Sequence, residues 1–365
     1  MKAAATPVQR PADARLLVVD AAGGVRHAAR SGFVRLLRRG DLLVANDAAT
    51  LPASLHGVHA PSGAAIELRL AARNSLAVDA IADVTAVVFG AGDHRTRTED
   101  RPPPPPLRAG DRLVLGPLCA TVRATLDHPR LVALRFDGTP DTIWAGLARH
   151  GKPVQYAHLP QPLALWDVWT RVAALPVAFE PPSAGFVLDW ALLGALRARG
   201  VGFATLTHAA GLSSTGDAAL DARLPLPEPY WIPATTAAAV AQARLRGGRV
   251  VALGTTVTRA LEHAAGRGLP LPAGGGLATQ RLGAGTPLRV VDVLVSGTHE
   301  PGTTHHALLR AFVPDTTLRR IDAALEHGGY RTHEFGDTVW LERRATCAAS
   351  SDAGAEARTM VLEGP

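Results

Sequence analysis

Apolar and polar positions along this chain of 365 residues follow three different patterns, and the first predicts two strands around a short helix. Residues 16–20 and 42–45 are short apolar runs, which are typical of buried strands. Residues 33–39 between them have helical spacing. The second run ends in two polar side chains, Asn46 and Asp47, so polar groups follow directly after a buried strand.

From about residue 55 to residue 137 the pattern changes to short alternating stretches that Gly, Pro and Asp turns separate. Several short strands at such close spacing predict a small barrel or sandwich. Five consecutive prolines at 102–106 predict an exposed loop inside this region, because proline cannot donate a hydrogen bond to a strand ladder. The predicted strands are residues 65–70, 78–89, 113–115, 120–126 and 131–136.

Beyond about residue 141 strands and helices alternate, which predicts an α/β fold with a mostly parallel sheet and ligands at the strands' carboxyl ends. We expect an α/β body made of residues 1–54 and 141–345, with a β-rich, barrel-like insertion at 55–140. We expect residues 346–365 to form a disordered tail. The predicted helices are about 188–199, 235–246, 256–263, 304–312 and 318–327, and the predicted strands are 201–206, 249–253, 288–295 and the two ends of 332–341.

Composition and charge narrow the class of protein. The 47% of apolar residues are enough to bury real cores, which excludes a disordered protein. The chain has 38 basic and 32 acidic residues, a net charge of +6, and its only lysines are Lys2 and Lys152. An excess of arginine favours a phosphate-bearing partner, but arginine in place of lysine beside abundant Ala, Gly and Pro is also typical of a coding bias.

Other global features predict a soluble, cytoplasmic protein, with a monomer favoured. The two cysteines, Cys119 and Cys347, are far apart and exclude a disulfide framework or a zinc finger. The first residues lack the apolar core of a signal peptide. No apolar run reaches the roughly 18 residues that a membrane span needs, so we expect no membrane partner.

The first candidate site is the junction of a strand and a helix at Gly254. Glycine allows a close backbone approach, and Thr255 and Thr256 then open a helix whose free N–H groups and hydroxyls can hold a carboxylate, a phosphate or a ribose oxygen. Arg259 and Glu262 are three residues apart and share one face of that helix. An ordinary capped helix with a surface ion pair explains the same spacing.

The second candidate site is a loop that follows an apolar strand. The strand brings Ser296 and His299 into a Pro/Gly loop before a helix that opens near Thr304. A histidine in such a loop can act as a general acid or base at neutral pH. His305 and His306 are neighbours in sequence and face different sides of a helix, so we expect no metal.

Two shorter segments carry weaker signals. Ser183 and Gly185 lie in a small-residue loop before a helix that Ser183 is placed to cap, without the flanking glycines of a hydrolase nucleophile. Asp337 follows Gly336 in a turn between two strands, where aspartate is also a common turn residue.

Taken together and in this order, these segments resemble the S-adenosylmethionine:tRNA ribosyltransferase-isomerases of queuosine biosynthesis. The resemblance covers roughly residues 35–342, and its most specific blocks are G-T-T and H-x-P. Five family motifs are matched, wholly or in part. They are G-D-L-L-V-x-N-(N/D)-T-R-V-x-P-A-R-L at residues 40–55, P-T-A-G-L-H-F at 182–185, R-V-I-A-V-G-T-T-x-x-R-x-L-E at 249–262, V-D-x-L-x-T-N-F-H-x-P-x-S-T at 291–304 and Y-R-F-x-S-Y-G-D at 330–337.

The resemblance implies an α/β body with an inserted β-barrel, and S-adenosylmethionine as co-substrate without a metal. It implies transfer of the ribosyl part of S-adenosylmethionine onto a 7-aminomethyl-7-deazaguanine in tRNA, which gives epoxyqueuosine and releases adenine and methionine. It makes His299, as acid or base, and Asp337 the catalytic candidates. The implied substrate-binding residues are Asn46, Asp47, Ser183, Gly185, Gly254, Thr255, Thr256, Arg259, Glu262, Ser296 and Thr304.

The chain also departs from the family pattern. Two family arginines are Ala49 and Ser54 here, and two family histidines fall at Val187 and Thr207. Arginine is a preferred partner of phosphate, so the losses weaken the case for a grip on tRNA. Two alternatives therefore stay open: the same chemistry on another acceptor, such as a small molecule, and a relative that binds nucleotide or RNA without turnover.

Overall fold

The structure is a computed structural model that describes residues 1–344, so Cys347 and the expected tail lie outside the described residues. The strands are β1 Lys2–Ala3, β2 Arg15–Val19, β3 Val25–Ala29, β4 Leu42–Asn46, β5 Ala48–Thr50, β6 Ser54–His59, β7 Ala64–Ala72, β8 Asp83–Phe89, β9 Arg112–Leu115, β10 Leu118–Thr125, β11 Leu131–Phe136, β12 Leu175–Ala178, β13 Gly202–His208, β14 Glu228–Ile232, β15 Val250–Leu253, β16 Gly274–Ala278, β17 Val293–Gly297, β18 Arg331–Thr332 and β19 Thr338–Glu342. The α-helices are α1 Pro140–His150, α2 Leu165–Val168, α3 Trp190–Ala198, α4 Ala218–Asp221, α5 Ala234–Leu245, α6 Thr255–Gly266, α7 Thr304–Leu309 and α8 Asp315–His327.

A nine-stranded sheet in the order β16-β14-β13-β4-β15-β17-β19-β2-β3 forms the body. Its four central strands, β13, β4, β15 and β17, are parallel, as the alternation of strands and helices predicts. Towards both edges most of the neighbouring strands pair antiparallel. The expected α/β fold is confirmed, with a parallel centre and mixed edges.

The central strands are apolar on both faces because helices cover both faces. Leu42 and Val44 of β4 point into a core with α5, α6 and α8, whereas Leu43 and Ala45 point into a second core with α3. A parallel strand that is buried on both sides has a continuous apolar sequence, which is why these strands are visible in the sequence.

A closed, antiparallel six-stranded barrel in the order β10-β11-β8-β7-β6-β9 accounts for the middle of the chain, and the expected barrel is confirmed. Alternate side chains such as Leu68, Leu70, Val122 and Leu134 fill its interior. The prolines at 102–106 form an irregular, largely exposed loop, as predicted.

Several local predictions were wrong. The strand expected at 78–89 begins with a 3₁₀ segment, Val78–Ala82, and only Asp83–Phe89 is a strand. The helix expected at 33–39 is a 3₁₀ segment at Arg30–Leu36, where Gly32 and β-branched Val34 disfavour an α-helix. Ser183 does not cap the following α-helix, because the Asp189 side chain does so by accepting a hydrogen bond of 2.7 Å from the Leu192 N–H. In the described part of the chain, every helix is too short or too polar to cross a bilayer.

Candidate active site

The carboxyl ends of β4, β13, β15 and β17 meet at one edge of the sheet, beside a cavity of about 200 Å³. Ligands of open α/β sheets bind at such an edge. Eight of the predicted site residues line this cavity: Ser183, Gly254, Thr255, Thr256, Arg259, Ser296, His299 and Thr304.

The amino terminus of α6 forms one wall of the cavity. Gly254 has a φ of +104°, and a Cβ at this position would lie 3.3 Å from the Ala184 Cβ, so glycine lets the two segments approach. No side chain of the described residues caps the first turn of α6. Its N–H groups, beside the hydroxyls of Thr255 and Thr256, are therefore free for an anionic or hydroxyl-bearing ligand.

Arg259 lies one turn further along α6 and is held by buried partners. Its guanidinium pairs with Glu228 and donates to the carbonyls of Ala278 and Gln280 at 3.1 and 3.2 Å. Burial raises the pKa of Glu228, whereas Arg259 acts in the opposite direction. The Nε of Arg259 is buried and has no hydrogen-bond partner among residues 1–344.

His299 lines the cavity and is held by one side-chain hydrogen bond. Its Nε2 lies 2.8 Å from the Ser296 hydroxyl, which fixes the imidazole in the cavity wall. Burial, followed by the neighbouring histidines His305, His306 and His333, holds the pKa of His299 well below its ordinary value. His299 is therefore a neutral proton acceptor at neutral pH. Burial and then Arg259 lower the pKa of His305 to about 4.

Glu180 is a site residue that the sequence reasoning missed. It is buried, it lines the cavity, and its Oε1 accepts a hydrogen bond of 2.5 Å from the Tyr156 hydroxyl. Burial raises the pKa of Glu180 to about 7, so a large share of this carboxyl group is protonated at neutral pH. The only available signal is its place before Pro181, at the start of the segment that contains Ser183.

A second cavity of about 620 Å³ joins the first, since Glu180, Ser183, His299 and His305 line both of them. The segment between β8 and β9 of the barrel contributes residues 97–99, at the start of a short 3₁₀ helix, to its wall. The two cavities together leave room for two ligands that meet at His299 and Glu180.

Asn46 and Glu262 line neither cavity, because backbone groups occupy their side chains. The Asn46 amide joins the ends of β4 and β13, where it donates to the His208 carbonyl at 2.9 Å and accepts from the His208 N–H at 3.0 Å. The Glu262 carboxylate accepts three backbone N–H groups, of residues 289–291, at 2.7 to 2.9 Å.

Asp337, Asp47 and Gly185 also lie outside both cavity linings. The buried Asp337 carboxylate accepts the backbone N–H groups of Arg15 and Arg331, both at 2.8 Å, and its carbonyl accepts the Thr298 N–H at 3.2 Å. It therefore supports the loop of His299. The other two have local partners, since Asp47 accepts the Thr207 hydroxyl at 2.7 Å and a Cβ on Gly185 would lie 2.8 Å from Thr170.

An α/β body whose strand ends form two adjacent cavities, lined by titratable side chains and a free helix amino terminus, is the arrangement typical of an enzyme active site. The sequence model of the queuosine biosynthesis protein family matches residues 1–341, and the chain belongs to this family. The expected resemblance is confirmed, and the protein is an enzyme of this transferase-isomerase family.

Similar proteins share most of the length of the chain. The S-adenosylmethionine:tRNA ribosyltransferase-isomerase of Sorangium cellulosum is 34% identical, over 93% of this chain and 94% of the relative. The protein of the same name from Thiobacillus denitrificans is 32% identical, over 90% of each chain. A crystal structure of the S-adenosylmethionine tRNA ribosyltransferase from Thermotoga maritima is 21% identical, with a TM-score of 0.46 over 93% of this chain and 94% of that chain.

Proposed function

We propose that the protein transfers and isomerises the ribosyl part of S-adenosylmethionine, with release of adenine and methionine. The proposed acceptor is a 7-aminomethyl-7-deazaguanine in tRNA, and the proposed product is epoxyqueuosine. The observation that carries the proposal is a single cavity in which the free amino terminus of α6 faces the pair formed by Ser296 and His299. The names of the curated relatives agree with this activity.

The polar groups of α6 suit the methionine end of S-adenosylmethionine. A carboxylate bound at Thr255 and Thr256 meets free N–H groups, the positive end of the helix dipole and two hydroxyls. Arg259 lines the same cavity and brings a positive charge close to this end of the ligand. We propose that these residues hold the carboxylate and the ribose hydroxyls.

The chemistry requires both a base and an acid. The sulfonium group acidifies the adjacent ribose carbon, so a base must remove that proton, and the departing adenine needs a proton or a donor. His299 is neutral at pH 7 and suits the base, whereas Glu180 has a pKa of about 7 and suits the acid. Opposite pKa shifts in two neighbouring groups are typical of an acid and a base that work as a pair.

The second cavity supplies room for the acceptor. It reaches the reacting centre at His299 and extends to Arg97 of the barrel. We propose that residues 1–54 and 141–345 are one domain that binds S-adenosylmethionine, and that residues 55–140 are a second domain that faces the acceptor. A tRNA acceptor would place the reaction in the cytoplasm.

One observation favours the alternative of a smaller acceptor. At two positions where the resembled family has arginine, Ala49 is buried in β5, and the Ser54 hydroxyl donates to the Glu67 carboxylate inside the barrel at 2.7 Å. These positions offer no charge to a phosphate.

Adenine release tests the activity directly. The protein is incubated with S-adenosylmethionine and an acceptor, and adenine and methionine are measured by chromatography. His299→Ala should reduce release by at least about 100-fold, because it removes the base. The matched control is His327→Ala, at the exposed end of α8, which should retain the wild-type rate. Equal rates in the two variants would remove His299 from the mechanism.

The acceptor is tested with the same assay. tRNA that carries the deazaguanine should be modified, and the mass of the nucleoside product identifies the transferred sugar. Adenine release without any modified tRNA would overturn the tRNA acceptor and support a small molecule. No adenine under any condition would overturn the proposed reaction and support a binding protein.

A further inference from the structure

The second cavity carries two histidines and a carboxylate that the proposed reaction does not use. His158, His333 and Glu334 each offer one potential ligand atom, and these atoms all lie within 4.8 Å of one another. His158 comes from the segment between α1 and α2, whereas the other two follow β18, so the fold brings together residues that are far apart in sequence. All three line the second cavity.

Two ligand atoms of the cluster form a close pair. The Nε2 of His158 and the Oε2 of Glu334 are both buried and lie 3.3 Å apart, within the distance of an ion pair. A tetrahedral Zn²⁺ with bonds of roughly 2.0–2.1 Å separates its ligands by about 3.3 Å. The two atoms thus have the spacing of two ligands of one ion.

The backbone is shaped to present the cluster. His333 has a φ of +67°, a left-handed conformation that is uncommon outside glycine. It interrupts the alternation of a strand, in which successive side chains point to opposite faces, so that His333 and Glu334 line the same cavity. The rings of His158 and His333 stack with their centroids 4.2 Å apart and 21° between their planes, so one imidazole must turn out of the stack before both can direct a nitrogen lone pair at the same ion.

We propose that His158, His333 and Glu334 bind one divalent transition-metal ion of borderline softness, Zn²⁺ or a close analogue. Two imidazoles and one carboxylate are a typical donor set for such an ion, whereas Mg²⁺ prefers oxygen ligands alone. Three protein ligands leave at least one coordination position open towards the second cavity. The site does not depend on the proposed reaction.

Metal binding by the full chain without a polyhistidine tag tests the site. Zn²⁺ is titrated in competition with a chromophoric chelator, and Co²⁺ is titrated with detection of its visible absorption. We expect one ion per chain, which millimolar Mg²⁺ does not displace. His158→Asn and Glu334→Gln should each weaken Zn²⁺ binding by at least about 100-fold, since even the loss of an outer partner costs up to that much.

His128→Asn is the matched control. The His128 Nε2 also lies 3.3 Å from a carboxylate oxygen, that of Asp217, but without a third ligand, so its loss should leave Zn²⁺ affinity unchanged. Circular dichroism checks that each variant is folded. If either variant does not fold, His333→Gln is tested in its place. Absence of stoichiometric Zn²⁺ binding and of Co²⁺ absorption in the wild-type protein would overturn the proposal. Undiminished binding in the folded ligand variants would overturn it as well.

Discussion

Two titratable groups at the candidate site, His299 and Glu180, have pKa values that are shifted in opposite directions. Burial disfavours the charged form of either group, so it lowers the pKa of the imidazole and raises the pKa of the carboxyl group. At neutral pH His299 is therefore mostly uncharged, and Glu180 is partly uncharged. The same desolvation thus keeps the imidazole in its neutral, proton-accepting form and gives a proton to the carboxyl group, which is ionised in water at pH 7.

The pH dependence of adenine release should report the acid. As the pH rises through about 7, Glu180 loses its proton, so kcat/KM of the wild-type enzyme should fall on the alkaline side. Glu180→Gln keeps the size of the side chain but has no proton to transfer. We expect its kcat/KM to be lower by about 100-fold or more and to show no fall near pH 7.

The matched control is Glu326→Gln, which removes an exposed carboxylate on α8. It should retain both the wild-type rate and the wild-type pH profile. If the alkaline fall persists in Glu180→Gln, another group provides the acid.

Single residues in the sequence predict less of the site than the short elements that carry them. Gly254, Thr255 and Thr256 are recognisable because a glycine between a strand and a helix allows a ligand to approach the first N–H groups of the helix. Asn46 and Glu262 show the same kind of spacing, yet their side chains bind backbone groups. The sequence cannot distinguish the two uses, because both require a polar side chain at the end of an apolar element.

At the scale of elements, the entry of the chain into α6 determines the binding geometry. Gly254 combines a φ of +104° with a ψ of 159°, a region that is almost exclusive to glycine. Gly254→Ala should cost about 1–3 kcal/mol of unfolding free energy. It should also weaken S-adenosylmethionine binding by about tenfold or more, because the new Cβ displaces the first turn of α6 from Ala184. Urea unfolding and calorimetric titration measure the two effects.

Gly247→Ala is the matched control for that substitution. Gly247 ends α5 with a φ of +72°, and a Cβ there would have no atom within 4 Å. We expect a cost of roughly 1 kcal/mol in unfolding free energy and no change in S-adenosylmethionine affinity. Equal affinities of the two variants would show that the start of α6 does not bind the ligand.

Local patterns in the sequence do not predict which distant side chains meet at the site. Glu228 is 31 residues before its partner Arg259, on a strand that the sequence pattern does not reveal. His158 and His333 are far apart in the sequence although their rings stack. Glu180 likewise accepts its hydrogen bond from Tyr156, which is distant in the sequence. Element types follow from periodicity within one segment, whereas a site requires knowledge of which segments the sheet order brings together.

At the scale of the whole molecule, net charge is a poor guide to the partner because several arginines form ion pairs within the protein. Arg69 and Arg101 pair with Glu67 inside the barrel. Arg249 pairs with Asp41 at the amino ends of β15 and β4. Arg69 and Arg101 are buried and all three are held in ion pairs, so these side chains contribute little to a field that steers a polyanion. The net charge of +6 therefore has to be read residue by residue.

Arg97 is the arginine that should matter for tRNA. It lines the second cavity, and its side chain is 70% exposed. Arg97→Ala should weaken tRNA binding and reduce the slope of log affinity against log salt by about 1, as expected for one lost phosphate contact. Binding is measured by filter retention or fluorescence anisotropy at several salt concentrations, with S-adenosylmethionine affinity measured in parallel.

Arg26→Ala is the matched control, since Arg26 is an exposed arginine on β3, the edge strand of the sheet, and lines neither cavity. Both substitutions change the net charge equally, so a general field would weaken tRNA binding to the same extent in both. A contact at the mouth of the second cavity affects Arg97→Ala alone. An unchanged salt slope in Arg97→Ala, with adenine release intact, would show that the second cavity receives a small acceptor without a polyphosphate backbone.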